Sequence, residues 1–295
     1  MKKLIFTGAG VAIVTPFSAD GSVNYKKLEE LIDWQIENGT DAIVACGTTG
    51  ESNTLSDDEH IKVIECAVKR TAGRVPVIGG AGSNDTHHAV ELSKEVKRVG
   101  ADAVMSVTPY YNKTSQRGLI SHFTAVADST DLPVILYNVP SRTGMNILPE
   151  TYAQLAKHPN IAAAKEANSD MGAVTKTRNL CGDSLYVYSG NDDLIVPILA
   201  LGGVGVISVM SNILPRQTRD IVALWNAGKH KESADLQIKY INLINLIFAD
   251  VSPVPIKEML NIMGKEVGNC RLPLVGVTEE LREKLKVAIE NIDNN

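Results

Sequence analysis

No window of this chain reaches the roughly 18 to 20 consecutive apolar residues of a membrane span. Cysteine is scarce and scattered. Cys46, Cys66, Cys181 and Cys270 form no CxxC pair, so reduced thiols are expected rather than a disulfide frame or a zinc site. Neither sign of charge dominates: the net charge is −5 with acids and bases interspersed, which leaves no electrostatic footprint for nucleic acid or an anionic membrane. Metal ligands are not clustered either. His87 and His88 are the one adjacent histidine pair, and on a helix successive side chains point about 100° apart, while His60, His122, His158 and His230 are dispersed. No GxGxxG follows the first apolar stretch, which weakens a dinucleotide-binding open sheet. The amino-terminal apolar run is broken by Thr7, Gly8 and Gly10 and stops at Pro16, so it reads as a first strand rather than a secretion signal. A cytosolic protein with small-molecule partners, no nucleic acid and no membrane is the expectation, with no cofactor and no metal.

What is present is a repeat of short β-rich runs. Eight occur: "GVAIVTPF" near 10, "DAIVACG" near 41, "VPVIGG" near 75, "ADAVMSV" near 101, "LPVILYNV" near 132, "IAAAKEA" near 161, "SLYVYSG" near 184 and "GVGVISV" near 203. Helical spacing fills the gaps between them. Leu28, Leu31, Ile32 and Ile36 share a face ahead of Gly39 as a stop, and Ser56 with Glu59 has capping-box spacing before a stripe of Ile61, Ile64 and Val68. Near-continuous apolar strands alternating with helices predict a parallel sheet covered by helices, and eight units close it into an α/β fold, the (β/α)8 TIM barrel. From about residue 216 only helical patterns remain. "ADLQIKYINLINLIF" carries a broad apolar face, and Leu281, Leu285, Ala288, Ile289 and Ile292 line a last helix capped by Thr278. The predicted division is a catalytic barrel over 1–223 and a C-terminal helical extension over 224–295.

One lysine stands out. Lys165 ends the small, apolar sixth strand, where alternation places it on the face of Ala163 and Ile161. Active sites of this fold lie at the C-terminal strand ends, and taking an ammonium out of water favours the neutral amine that attacks a carbonyl to form a Schiff base. A lysine paired with a barrel carboxylate, or one that snorkels to the rim, would leave the same pattern. Other strand ends supply company. Tyr137 shares its face with Ile135, Arg142 follows in a Pro, Ser and Gly loop where its fork could grip a carboxylate, and Thr48 and Thr49 offer hydroxyls after the second strand. Tyr110 and Tyr111 follow the fourth strand and suit either a site or an interface.

Together the segments "GTTGES" at 47–52, "TPYYNK" at 108–113, "YNVPSRTG" at 137–144, "KEA" at 165–167 and "SGND" at 189–192 closely resemble the dihydrodipicolinate synthase family, also called 4-hydroxy-tetrahydrodipicolinate synthases, of the N-acetylneuraminate lyase superfamily. The resemblance implies condensation of pyruvate with L-aspartate 4-semialdehyde on the diaminopimelate route to lysine. Lys165 would attack the pyruvate ketone, Tyr137 would pass protons, and Thr48 with Tyr111 would link that phenol to solvent. Tyr111 would come from a neighbouring subunit of a homotetramer built as a dimer of dimers. Thr49, Gly190 and Ile207, with Thr48, would contact the pyruvyl part, and Arg142 the semialdehyde carboxylate.

Relatives that cleave or form other 2-oxo acids, the N-acetylneuraminate lyase and 2-keto-3-deoxy-sugar-acid aldolase types, share the barrel, lysine and tyrosine. Arg142 within "SRTG" favours the synthase. A barrel that has lost catalysis and serves as a binding partner is the remaining class, although Lys165 and Tyr137 are both present. The resemblance also implies an interface cleft for inhibitory lysine at Ser52, Asn53, Asp57, His60, Asn84, His88 and Tyr110. Lysine-sensitive members usually carry a glutamate where His88 stands, and losing that carboxylate removes a charge-assisted hydrogen bond. Weak or absent lysine inhibition is therefore predicted.

Overall fold

A computed structural model describes residues 2–292. All eight expected strands are there: β1 (Gly8–Ala12), β2 (Ala42–Ala45), β3 (Val77–Gly80), β4 (Ala103–Val107), β5 (Val134–Asn138), β6 (Ile161–Glu166), β7 (Tyr186–Ser189) and β8 (Gly205–Ser208). They pair in parallel, each with its sequence neighbour, and β1 with β8 closes the barrel. The covering helices are α1 (Tyr25–Glu37), α2 (Asp57–Thr71), α3 (Thr86–Arg98), α4 (Gln116–Asp128), a short α5 (Pro140–Thr143), α6 (Pro149–Leu155), α7 (Met171–Cys181), α8 (Ile195–Ala200) and α9 (Pro215–Asn226). The expected capping box opens α2, with Glu59 N donating to Ser56 Oγ and Ser56 N to Glu59 Oε2. The buried stripe of α2 is centred on Val63, Ile64 and Ala67, leaving Ile61 and Val68 half-buried at its edges.

Apolar residues segregate into two shells because strand side chains alternate. Ala12, Val44, Ile78, Met105, Ile135, Ala163 and Ile207 fill the barrel interior, where Phe6 stacks on Tyr188 with ring centres 4.4 Å apart. The larger shell lies between strands and helices. Strand β6 departs from simple alternation. Its pairing with β5 runs Val134 with Ile161 but Ile135 with Ala163, so Ala162 is an extra residue, a β-bulge. Ile161 therefore packs in the outer shell, and Lys165 shares its inward face with Ala163 but not, as expected from alternation, with Ile161.

Four helices follow the barrel: α10 (His230–Lys239), α11 (Ile241–Ile247), α12 (Val254–Ile262) and α13 (Glu279–Glu290). The apolar stretch expected on one face is interrupted at Tyr240, so Leu243, Ile244 and Ile247 are buried while Ile238 and Phe248 face solvent. Thr278 caps α13 as predicted, and of that helix's stripe Leu285 is fully buried while the rest is half-covered. The extension is fastened to the barrel by a buried ion pair. Lys257 Nζ on α12 donates to Glu51 Oε1 at 2.9 Å and to the Thr15 and Asn269 carbonyls, and Arg271 N donates to Glu51 Oε2. Among the described residues, no helix is long and apolar enough to cross a membrane.

Candidate active site

The site is built where β2, β4, β5 and β6 end. Tyr137 and Lys165 are register partners on β5 and β6, both inward-facing and both almost fully buried. Lys165 Nζ lies 4.2 Å from the centre of the Tyr137 ring, a cation–π distance. Among the described residues Lys165 forms no salt bridge, so it is not the carboxylate-paired lysine that the sequence left open. Asp192 is a buried carboxyl that interacts with Lys165 electrostatically. Asp192 Oδ2 accepts from the Val209 and Met210 amides while Oδ1 has no hydrogen-bond partner among the described residues, and burial pushes this carboxyl's pKa up.

A cavity of about 230 Å³ opens beside the Tyr137 phenol. Its lining includes Thr48, Tyr110, Met105, Val139, Arg142 and Thr143. Close backbone approach demands glycine at two lining positions: a Cβ at Gly80 would stand 2.0 Å from the Cys46 carbonyl oxygen, and one at Gly82 2.4 Å from the Val107 nitrogen. Arg142 reaches this space from the single turn of α5, with Nη2 donating to Ser252 O at 3.0 Å and the rest of its fork without a hydrogen bond among the described residues. Thr49 is buried beside Thr48 rather than lining the cavity, and Ile207 sits wholly inside the barrel. Gly190 packs tightly, its amide donating to Glu166 O at 2.7 Å, and a Cβ there would meet Ala167 Cβ at 2.8 Å.

Tyr111 is the exception. It is 91% exposed on a left-handed backbone (φ 67°) and does not enter the cavity of its own chain. No hydrogen bond joins Thr48, Tyr111 and Tyr137 within the chain among the described residues. The seven residues of the suggested lysine cleft divide as well. Ser52, Asn53 and Tyr110 line the central cavity, whereas Asp57 and His88 line a separate groove between α2 and α3. His88 Nε2 lies 3.1 Å from Asp57 Oδ1 and its Nδ1 3.2 Å from Ser83 Oγ. His60 is buried with Nε2 donating to Gly80 O at 2.7 Å, burial lowers its pKa, and the Asn84 carbonyl accepts from Asn112.

Sequence reasoning passed over three polar residues next to this site: Asn138, Glu166 and Asp192. The first two had a signal. Each immediately follows an inward residue on its strand, so each points at the helix shell, where an apolar side chain is the norm.

Comparison with known proteins adds the chemistry. The family model described as the dihydrodipicolinate synthetase family matches residues 5–292. The chain belongs to this family. It is 55% identical to the 4-hydroxy-tetrahydrodipicolinate synthase of Acetivibrio thermocellus over 99% of both chains, and 59% identical to that of Lachnoclostridium phytofermentans over 92% of both. Among solved structures, the chloride-inhibited dihydrodipicolinate synthase from Acinetobacter baumannii complexed with pyruvate superposes with a TM-score of 0.95 at 42% identity, covering 98% of this chain and 99% of that one. The activity expected from the sequence motifs is thereby borne out, and the other 2-oxo-acid lyases and the non-catalytic barrel are not favoured.

Proposed function

We propose that Lys165 carries the 4-hydroxy-tetrahydrodipicolinate synthase activity of this chain as the Schiff-base nucleophile. The observation that carries this reading is the placement of an unpaired lysine amine, buried at the barrel mouth, 4.2 Å from the Tyr137 ring. The neutral amine adds to the pyruvate ketone carbon, and loss of water yields an imine. Removal of a methyl proton gives the enamine, whose carbon attacks the aldehyde of L-aspartate 4-semialdehyde. The amine of that second substrate then displaces Lys165 as the ring closes.

Each stage moves a proton, and Tyr137 is the group placed to accept and return it. Thr48 and a Tyr111 hydroxyl from a neighbouring copy connect it to solvent. The outward projection of Tyr111 supports an assembly in which two copies complete each other's sites, and we assign a tetramer made of two such dimers. Thr48, Thr49, Gly190 and Ile207 surround the pyruvyl group. Arg142, with most of its guanidinium free, takes the semialdehyde carboxylate.

The test is borohydride reduction with and without pyruvate, followed by digestion and mass spectrometry. A reduced pyruvyl adduct on Lys165 is expected, and folded protein without it would sink the assignment.

A further inference from the structure

The outer face of the barrel carries a polar cluster directly behind the site. Asn138 and Glu166 are register partners, one residue beyond Tyr137 and Lys165 on the same two strands. Their side chains meet in the helix shell: Asn138 Nδ2 donates to Glu166 Oε1 at 2.9 Å. Glu166 is fully engaged. The Asn168 amide donates to Oε1 at 3.0 Å and the Tyr152 hydroxyl to Oε2 at 2.8 Å, with no cation paired to it among the described residues. Asn138 extends the cluster into the loop beyond Arg142, donating to Asn146 Oδ1 at 2.8 Å and accepting from Ile147 N at 3.1 Å.

We propose that Asn138 and Glu166 form a clamp that holds the Tyr137 phenol and the Lys165 amine at their working separation, with Glu166 as a positioning residue. Sheet register is the quantity at stake. A slip of one residue moves every side chain of a strand to the opposite face, and β6 already accommodates one extra residue, Ala162, upstream of Lys165. Backbone ladder bonds alone do not distinguish one register from the next. A side-chain bond between particular residues just past the bulge does. Burying a carboxyl group with no cation nearby is costly, and three hydrogen bonds to it offset that cost only when both strands and α6 stand in this arrangement. The same groups also fix the strand ends that carry the loops around the cavity.

This inference rests on Lys165 and Tyr137 being the reacting pair, and the experiment separates the two. In the wild-type protein, rapid borohydride quenching gives the rate at which pyruvate becomes attached to Lys165. Absence of that adduct overturns the assignment of Lys165 and not the clamp. With the adduct present, Glu166→Ala is expected to slow its formation about tenfold or more, since misplacement by an ångström has large kinetic cost, with kcat changed more than KM for pyruvate. Glu166→Gln keeps an acceptor for Asn138 and Asn168 and offers its amide to Tyr152, so it is expected to stay within about threefold of wild type. Should Glu166→Ala not fold, Asn138→Ala opens the same bond from β5 and carries the same expectation. Folded Glu166→Ala or Asn138→Ala protein with wild-type adduct kinetics would overturn the clamp, as would a Glu166→Gln variant as slow as Glu166→Ala.

Discussion

Lys165 Nζ faces the Tyr137 ring at 4.2 Å, and the two residues are register partners on adjoining strands. The proposed nucleophile and proton carrier are thus both held on strands of the barrel. Groups fixed this way need little reorganisation as the reaction proceeds.

Tyr137→Phe should remove the hydroxyl proposed to carry protons while leaving the ring beside Lys165. Because general acid–base groups contribute about 10²- to 10⁴-fold, kcat is expected to fall within that range with KM for pyruvate changed little. Steady-state kinetics combined with adduct mapping checks it: a variant turning over at the wild-type rate would exclude Tyr137 from the proton path.

Arg142→Ala should act on the second substrate alone. The guanidinium touches Ser252 O but nothing on Lys165, so pyruvate adduct formation should be unchanged while KM for the semialdehyde rises about tenfold or more. Arg142→Lys is expected to recover only part of this, because a lysine cannot reproduce a two-pronged grip. Equal damage to both substrates would argue against the role.

Lys257→Ala should strip the buried Glu51 carboxylate of its ammonium and loosen α12 from the barrel. The expected loss is about 3–5 kcal/mol, seen as a lower melting temperature. The double variant Lys257→Met with Glu51→Gln should be less damaged than the single one, since no lone charge is left inside. A melting temperature unchanged in Lys257→Ala would mean that the pair contributes nothing to docking.

Glu166 predicts a pH dependence of stability. Desolvation raises its carboxyl pKa to about 7, against 4.5 for an ordinary glutamate. Between these values the folded protein holds a proton that the unfolded chain has released. This contribution is therefore intact below the unfolded pKa, declines as pH rises through the folded pKa, and amounts to about 3 kcal/mol at most. Glu166→Gln cannot ionise, so its stability relative to wild type should rise between pH 5 and pH 8 in urea titrations. A constant difference would show that Glu166 titrates as an ordinary glutamate.

Lysine at sub-millimolar concentration should leave the synthase rate unaltered. By the family resemblance a carboxylate is expected where the His88 imidazole stands, and the neighbouring Asp57 carboxylate already accepts from His88 Nε2. Rate measurements over a lysine titration decide this, and half-inhibition in the sub-millimolar range would refute it.

By itself the sequence determined the barrel, because eight apolar strands alternating with helical stripes have few other ways to bury both faces of a parallel sheet. It also determined the identity of the chemical groups: Lys165, Tyr137, Thr48 and Arg142 were legible as polar residues at strand ends or in the loops just after them. Tertiary structure alone decided how they meet. The bulge at Ala162 reassigned Ile161 to the outer shell, a change invisible to alternation because the extra residue is a small apolar one like its neighbours. It separated Asp57 and His88 from Ser52, Asn53 and Tyr110, since distances between loops depend on how whole βα units pack. It also joined Asn138 to Glu166 across 28 positions of sequence. Periodicity reports which face a side chain takes; register between distant strands reports which partner it finds there, and that is settled only when the barrel closes.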